Sequence, residues 1–403
     1  MTEIRETLPA WRATLSATMA ILVGVGLSRF AYTPLIPALI TKGWFTPAEA
    51  AYLGAANLAG YLLGALTTRA LAARLPAIPL LRLAMSLAVA SFFACADPLS
   101  FSWFFAWRFA AGFTGAVLMV LAAPSVLPHV PPARRGLAGG VMFTGVGLGI
   151  VVSGTVVPLL LRLGLPETWY GLGGLAFVFL IVSWGGWPPA IEAPHATVVE
   201  RAPDRPHAQP AVIGLHLEYA LNAVGLVPAM VFLVDFVARG LGAGIEIGAR
   251  YWVLFGVGAV CGPMLLGRLA DRIGFGRALR LALLAQAIAA VVPVLTTSFL
   301  GVALASIVLG ACAPGTTTLV LGRIRELIPK DVRAQTQAWS VATTAFSIGQ
   351  AGAAYGFSYL FARGGDYGFL FVIAAAALVL ALVLDFAVAA GNARRQALWA
   401  GRR

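Results

Sequence analysis

The stretch Gly267–Gly274, which reads GRLADRIG, is the later of two related copies in this chain. The earlier copy, Gly64–Arg69, reads GALTTR. Each copy is followed, five residues after its last arginine, by a further arginine, Arg277 in the later copy and Arg74 in the earlier one. Because weak internal symmetry of this kind indicates a duplicated structural unit, the sequence predicts two related halves.

The composition between and around these copies is that of a membrane protein. The 403 residues are 60% hydrophobic and only 11% charged, with a mean hydropathy of +0.88, whereas about a quarter of the residues of a soluble domain are charged. The formal charge of +12 comes from residues scattered through short hydrophilic gaps, not from one basic patch. A nucleic-acid partner is therefore not expected.

Twelve apolar runs are long enough to cross a bilayer as helices. They lie near residues 13–40, 48–68, 77–96, 99–128, 136–161, 169–187, 211–238, 247–267, 278–296, 299–322, 337–362 and 367–390. The predicted fold is an all-α integral membrane protein with two pseudo-symmetric six-helix bundles. The bundles occupy residues 1–190 and 211–392, joined by a linker at 191–210 rich in proline and charge and followed by a tail at 393–403.

The distribution of Lys and Arg predicts the orientation of this multi-pass protein. Most of the 28 basic residues fall in gaps on one side of the predicted membrane, which places both termini and the linker in the cytoplasm of a bacterial inner membrane. Arg29, in the run Gly24–Pro37, and Arg108 are instead inside spans. A charge at that depth costs about 2.5 to 3.5 kcal/mol, so it must face protein, water or a ligand.

Metal and catalytic chemistry have no visible basis in the sequence. Cys95, Cys261 and Cys312 lie singly in apolar runs, without the spacing of a metal site or a disulfide framework. No nucleophile elbow, zinc-binding histidine motif or phosphate loop outside the membrane is present in the sequence. We expect no cofactor, no metal and no enzyme activity.

The later repeat copy, GRLADRIG, resembles the cytoplasmic loop signature of the major facilitator superfamily (MFS). The run Gly26–Pro37, GLSRFAYTPLIP, together with Ile348–Gln350, is similar to the YbfB/YjiJ-type branch of that superfamily. The resemblance implies the MFS fold, two halves that rock around a central site, and a cavity lined by spans one, four, seven and ten.

Arg29 and Arg108 are the leading candidates for contact with a solute. Arg108 begins an Arg-x-x-x-Gly pattern that is similar to a superfamily motif, and the resemblance implies that both guanidinium groups converge on one anionic group. The alternative is that each arginine ties down backbone carbonyl groups or a helix end. Further candidates for hydrogen bonds to the solute, or equally for contacts between helices, are Tyr32, Asn57, Tyr61, Asn222, Thr316 and Gln350.

Glu218, in the seventh span one turn before Asn222, is the candidate proton carrier. A carboxyl group in a low-dielectric cavity favours its neutral form, as proton uptake near neutral pH requires. The alternative is an acid at the membrane interface. Asp235 and Asp385, closer to span ends, are expected to be solvated or to snorkel to the membrane interface.

Three residues in and just after the later repeat copy are predicted to form a cytoplasmic gate, namely Asp271, Arg272 and Arg277. Ionic contacts of these residues would form in one rocking state and be released in the other. The alternative is that they are simple topological anchors.

The predicted function is secondary active transport of a small solute, an organic anion, coupled to protons. The expected partners are that solute, membrane lipid, and a proton or other coupling ion, and the protein is expected to be a monomer. Two alternatives stay open: efflux of amphipathic compounds past the aromatic run 103–107 of the fourth span, and a non-transporting membrane sensor.

Overall fold

The structure is a computed structural model that describes residues 10–131, 135–189, 210–296, 298–329 and 331–400. The regular structure of these residues is entirely helical. The α-helices are α1 Ala10–Ile21, α2 Ser28–Phe30, α3 Tyr32–Thr41, α4 Pro47–Ala72, α5 Ala77–Ala94, α6 Phe101–Val126, α7 Arg135–Leu161, α8 Leu165–Trp184, α9 Pro210–Asp235, α10 Ile245–Ile273, α11 Phe275–Leu295, α12 Phe299–Leu327, α13 Val332–Gly364 and α14 Tyr367–Ala400. Two π-helical segments, Leu22–Leu27 and Phe236–Gly240, and a 3₁₀ turn at Leu127–His129 complete the set.

The prediction of an all-α integral membrane protein is confirmed. Within the described residues, 11 helical stretches are long and apolar enough to cross a membrane. The predicted eleventh span, residues 337–362, corresponds to α13, which has 33 residues. The predicted linker lies outside the described residues except for Pro210, where α9 begins, and α14 continues into the predicted tail as far as Ala400.

The chain divides into two compact units, and the division falls inside α9 and α10. Unit 1 is Met1–Glu192 together with Val231–Val260, and unit 2 is Ala193–Met230 together with Cys261–Arg403. Unit 1 therefore contains α1 to α8 and the segment from the end of α9 to the middle of α10. Unit 2 contains the first part of α9, the end of α10, and α11 to α14.

In unit 1, α4 and α6 pack with their backbones in contact. The backbone oxygen of Asn57 leaves no room for a side chain at Gly112, and the oxygen of Phe109 does the same at Gly60. Small residues allow two helices to approach this closely. The contact fixes α4 and α6 relative to each other, and these helices carry Asn57 and Arg108.

The π-helical segment of the first span is held in the same way. Gly24 lies against Gly115 of α6, and Gly26 lies against Gly149 of α7, both at distances that exclude a Cβ atom. The residues that follow this segment, beginning with Ser28, are thereby placed close to α6 and α7.

In unit 2, α11 packs against both α12 and α14. The thiol of Cys312 in α12 lies 3.7 Å from the carbonyl oxygen of Ala282 in α11. Where α10 turns into α11, Gly274 has a positive φ of 87°, a conformation that a side chain would strain. Polar residues of α11, α12 and α14 in this unit lie close to α9, as in the hydrogen bonds of Asn222 with Gln286 and Thr316.

Candidate functional site

The first span is interrupted at the position of Arg29. The π-helical segment Leu22–Leu27 is followed by the three-residue α2, and Ala31 separates α2 from α3. The hydroxyl of Ser28 donates a hydrogen bond of 2.7 Å to the carbonyl oxygen of Val23, five residues earlier. Such π-helical insertions are frequent at functional sites. Here the insertion displaces Ser28 and Arg29 from the register of the preceding helix.

Arg108 is buried in unit 1, with 3% of its surface exposed. Its Nη1 donates a hydrogen bond of 2.7 Å to the carbonyl oxygen of Ser28. Its guanidinium carbon lies 4.2 Å from the centre of the Tyr32 ring. Among the described residues, no carboxylate forms an ion pair with Arg108, and its buried Nε has no hydrogen-bond acceptor.

Arg29 lies beside this arrangement. Its guanidinium carbon is 5.2 Å from the centre of the Tyr61 ring and 5.5 Å from that of Phe30. The charges of Arg29 and Arg108 are close enough to repel each other. The Nδ2 of Asn57 donates a hydrogen bond of 3.2 Å to the backbone oxygen of Arg108. The structure thus brings together, in unit 1, the predicted site residues Arg29, Tyr32, Asn57, Tyr61 and Arg108.

The predicted site residues of unit 2 include a hydrogen-bonded pair. The hydroxyl of Thr316 lies 3.1 Å from the Oδ1 of Asn222 and 2.8 Å from the carbonyl oxygen of Cys312. The Nδ2 of Asn222 donates a hydrogen bond of 2.7 Å to the Oε1 of Gln286. Gln286 was not predicted, although an amide in the middle of an apolar run is a usable signal. Gln350 donates from Nε2 to the sulfur of Met230 over 3.4 Å.

Glu218 is 2% exposed, in the first part of α9. Its buried Oε1 has no hydrogen-bond partner among the described residues. Glu218 borders a cavity of about 30 Å³ that Arg323 and Asp385 also line. The remaining wall residues are Ala211, Gly214, Leu215, Leu327, Val388 and Ala389.

The expectation of a solvated or snorkelling side chain is wrong for Asp235. Asp235 is 1% exposed and accepts a hydrogen bond of 2.7 Å from the Nε of Arg239, one helical turn away. Asp385 is partly exposed and forms an ion pair with Arg280 of α11. Position near a span end did not reveal these ion pairs, because each depends on where the side chain of the partner arginine lies.

The predicted gate residues Asp271, Arg272 and Arg277 are exposed around the turn between α10 and α11. None of the three forms an ion pair within the part of the chain that the structure describes. Glu326 of α12 is instead the carboxylate that reaches this turn. Its Oε1 accepts from the backbone N–H of Phe275 over 3.0 Å, and its Oε2 accepts from Arg323 over 2.8 Å.

The fold has close counterparts among solved transporters. The crystal structure of a D-xylose–proton symporter matches with a TM-score of 0.70 and 16% identity, over 93% of this chain and 97% of that chain. A bacterial homolog of the human lysosomal transporter Spinster, in an inward-facing and occupied conformation, matches with a TM-score of 0.68 and 18% identity, over 94% and 96% of the two chains. At such low identity these matches show the fold alone.

The sequence comparisons give the family. No curated protein sequence matches the chain. A family model described as "Uncharacterised MFS-type transporter YbfB" matches residues 21–386, which is most of the chain. The resemblance seen in the GRLADRIG and GLSRFAYTPLIP stretches is thereby confirmed. The chain belongs to this YbfB-type family of major facilitator superfamily transporters.

Proposed function

We propose that this transporter moves a small organic anion across the bacterial inner membrane by alternating access, with a proton as the coupling ion. Family membership supports a transporter that binds a solute. The anionic charge of the solute, the proton, the monomeric state, and the cytoplasmic placement of the termini, the linker and the turn between α10 and α11 belong to the proposal.

The observation that carries the anion proposal is the buried guanidinium of Arg108. It has no carboxylate partner among the described residues, and its Nε has no acceptor. A buried cation without a counter-charge is costly. A ligand carboxylate or phosphate offers both the charge and the two acceptor oxygens that suit the planar fork of arginine.

Arg29 is the second cation of the proposed anion site. Its charge repels that of Arg108, and an anion bound near both removes this repulsion. Tyr32 and Tyr61 each present an aromatic face to one guanidinium group. Aromatic faces stabilise a cation without neutralising it, so the Tyr32 ring leaves Arg108 its charge for the solute.

The remaining proposed solute contacts are neutral. In unit 1, Asn57 has a buried Oδ1 that accepts no hydrogen bond from the described residues. In unit 2 we assign hydrogen bonds to Asn222, Thr316 and Gln350. Asn222 and Thr316 are hydrogen-bonded to each other. In the proposal this hydrogen bond breaks when either side chain binds the solute.

The proton is assigned to Glu218, because this carboxyl group is buried and its Oε1 lacks a hydrogen-bond partner among the described residues. Asp271, Arg272 and Arg277 are exposed and free to form ionic contacts in another state of the transport cycle. They are therefore the proposed gate residues.

Solute counterflow into proteoliposomes tests the anion site. We expect Arg29→Gln to abolish exchange of the cognate anion. Arg82→Gln is the matched control, because Arg82 also stacks on an aromatic ring, that of Trp184, and donates to its carbonyl oxygen, but on the surface of α5 and α8. Exchange at the wild-type rate in Arg29→Gln would remove Arg29 from the site.

Efflux of amphipathic compounds is less well supported by the aromatic residues of α6. Phe104 is fully buried and packs against Phe45 and Trp169. Trp103 is 38% exposed and donates from its indole to the carbonyl oxygen of Ala94. These neighbouring rings therefore point to different surroundings and do not form one apolar wall. Absence of flux for every solute in a broad panel would instead favour a membrane sensor.

A further inference from the structure

One end of unit 2 holds a cluster of charged side chains drawn from four helices. Glu218 lies in α9, Arg280 in α11, Arg323 and Glu326 in α12, and Asp385 in α14. Arg280 pairs with Asp385, and Arg323 pairs with Glu326 at 2.8 Å. Each arginine therefore already has a carboxylate partner, and Glu218 is the third carboxylate of the cluster.

The charge balance of this cluster depends on Glu218. With all five groups ionised, three negative charges face two positive charges. With Glu218 neutral, the cluster is balanced. The charges of Asp385, Arg323 and Arg280 all act on Glu218, and Glu218 is the most deeply buried of the three carboxylates. The neutral form of Glu218 is therefore the one that balances the charges of the cluster.

The cavity beside Glu218 admits very small ligands only. Its volume of about 30 Å³ is enough for a water molecule, which needs at least about 10 to 15 Å³. An organic solute does not fit. Arg323 lines the same cavity, so Arg323 and Glu218 border one small space.

We propose that Arg323 exchanges between two carboxylates, Glu326 in this structure and Glu218 in another state, and that this exchange controls when Glu218 releases its proton. The inference rests on the proposed function, in which Glu218 carries the coupling proton. Arg323 and Glu326 act as positioning residues, because neither carries the proton itself.

The free-energy cost of lacking Arg323 as a counter-charge differs between ionised Glu326 and ionised Glu218. The side chain of Glu326 is 34% exposed, so water solvates its charge when Arg323 leaves. Glu218 is 2% exposed, and its ionised form needs a protein counter-charge. Proton release from Glu218 and movement of Arg323 are therefore linked, and each favours the other.

The exchange also reaches the turn between α10 and α11. Glu326 accepts the backbone N–H of Phe275 in addition to Arg323. When Arg323 leaves, Glu326 loses its ion pair within α12 and keeps only the hydrogen bond from the Phe275 N–H at the turn. Proton release at Glu218 is thereby connected to the turn that carries the proposed gate residues.

His216 and Tyr219 are the titratable groups beside Glu218 on α9, and the Tyr219 hydroxyl lies 2.9 Å from that of Thr317. The His216 ring contacts α13. Its Nε2 lies 3.0 Å from the carbonyl oxygen of Ala338 in α13, and it does not line the cavity beside Glu218. Asp385 does line that cavity and adds a negative charge that opposes ionisation of Glu218. Arg280 offsets part of this charge through its ion pair with Asp385.

The test is an infrared pH titration of the purified full chain, with the protonated carboxyl band of Glu218 assigned by its loss in Glu218→Gln. In Glu326→Gln, Arg323 loses its present partner and turns to Glu218, so we expect proton affinity at Glu218 to fall by about tenfold or more. In Arg323→Gln we expect proton affinity to rise, and Arg323→Lys is expected to restore the wild-type value.

The matched control is Glu246→Gln, which removes an exposed carboxylate that pairs with Arg162 at 2.9 Å in unit 1. It is expected to leave the Glu218 band unchanged. A Glu326→Gln shift that disappears when Arg323→Gln is also present supports the exchange, because the direct charge effect of Glu326 on Glu218 would persist without Arg323. A Glu326→Gln shift of the same size in both backgrounds overturns it. Glu326 is partly exposed, so its variant is expected to fold and keep the test informative.

The outcomes separate this inference from the proposed function. If neither variant moves the band while Glu218→Gln abolishes the pH dependence of transport, the exchange is overturned and the coupling role of Glu218 stands. If the shifts occur but transport by Glu218→Gln keeps its pH dependence, the exchange stands and the coupling role fails. A wild-type protein without a titrating Glu218 band overturns both.

Discussion

The Nη1 of Arg108 donates a hydrogen bond of 2.7 Å to the backbone oxygen of Ser28, the residue immediately before Arg29. One cation of the proposed site thus holds the backbone segment that carries the other. On the far side of Arg29, the ring of Phe30 lies 5.9 Å from that of Trp252. A solute that draws Arg108 away from Ser28 therefore acts on a segment in contact with α10.

Arg108→Lys tests whether the shape of the guanidinium group matters as well as its charge. Lysine keeps the charge but lacks the planar fork and the flat surface that stacks on Tyr32. A hydrogen bond to a charged group contributes about 1.5 to 3 kcal/mol, so we expect solute affinity to fall by roughly 10- to 150-fold. Equilibrium binding measures this, and unchanged affinity would leave Arg108 with the role of holding Ser28.

Gly112→Ala tests the backbone contact between α4 and α6. The oxygen of Asn57 occupies the place that the new methyl group needs, and overpacking of this kind costs about 1 to 3 kcal/mol. We expect a lower unfolding free energy in reversible denaturation and a loss of solute binding. Gly174→Ala in α8 is the control, because no atom of a neighbouring residue lies within 4 Å of the place that its new methyl group would take. Equal stability of the two variants would contradict the packing argument.

The two arginines of the proposed anion site were predictable from the sequence as charges inside spans, but their contacts were not. Most basic residues lie in the gaps between predicted spans, where the topology explains them. Arg29 and Arg108 lie inside spans. The hydrogen bond from Arg108 to Ser28 depends on the π-helical segment Leu22–Leu27. A π-helical register is set by tertiary contacts, such as that between Gly26 and Gly149, and a local pattern of residues does not encode it.

Substitutions of Trp252 test the contacts that join α10 to the N-terminal helices within unit 1. Its indole donates a hydrogen bond of 3.1 Å to the hydroxyl of Ser153, and the side chain is fully buried. Trp252→Ala is expected to lower the unfolding free energy by about 3 to 5 kcal/mol. Trp252→Phe keeps most of the packing and loses mainly the hydrogen bond, which is worth about 0.6 kcal/mol inside a membrane. Similar losses in both variants would contradict this division.

A double-mutant cycle on Asn222→Ala and Gln286→Ala tests the polar network of unit 2. The two side chains share a hydrogen bond of 2.7 Å between α9 and α11. Hydrogen bonds between membrane helices contribute up to about 1.7 kcal/mol, so we expect a coupling energy in that range from unfolding measurements. Additive effects of the two substitutions would show that the bond does not contribute to stability.

The charged end of unit 2 was only partly predictable from the sequence. An acid inside a span is unusual, which singles out Glu218, whereas Asp385 lies near a span end, where solvation is the usual expectation. Arg280 and Arg323 lie among the basic residues that follow the predicted topology. Only the packing of α9, α11, α12 and α14 shows that these residues share one cluster, and the order of residues along the chain does not contain that information.

Binding of an organic anion by Arg29 and Arg108 is tested most directly by thermal stabilisation of the purified protein with a library of organic carboxylates, each paired with its neutral amide. We expect stabilisation by at least one carboxylate and not by its amide. This stabilisation is expected to be lost in Arg108→Gln and Arg29→Gln and kept in Arg82→Gln. Equal stabilisation by an acid and its amide, or stabilisation that survives in both arginine variants, would contradict this expectation.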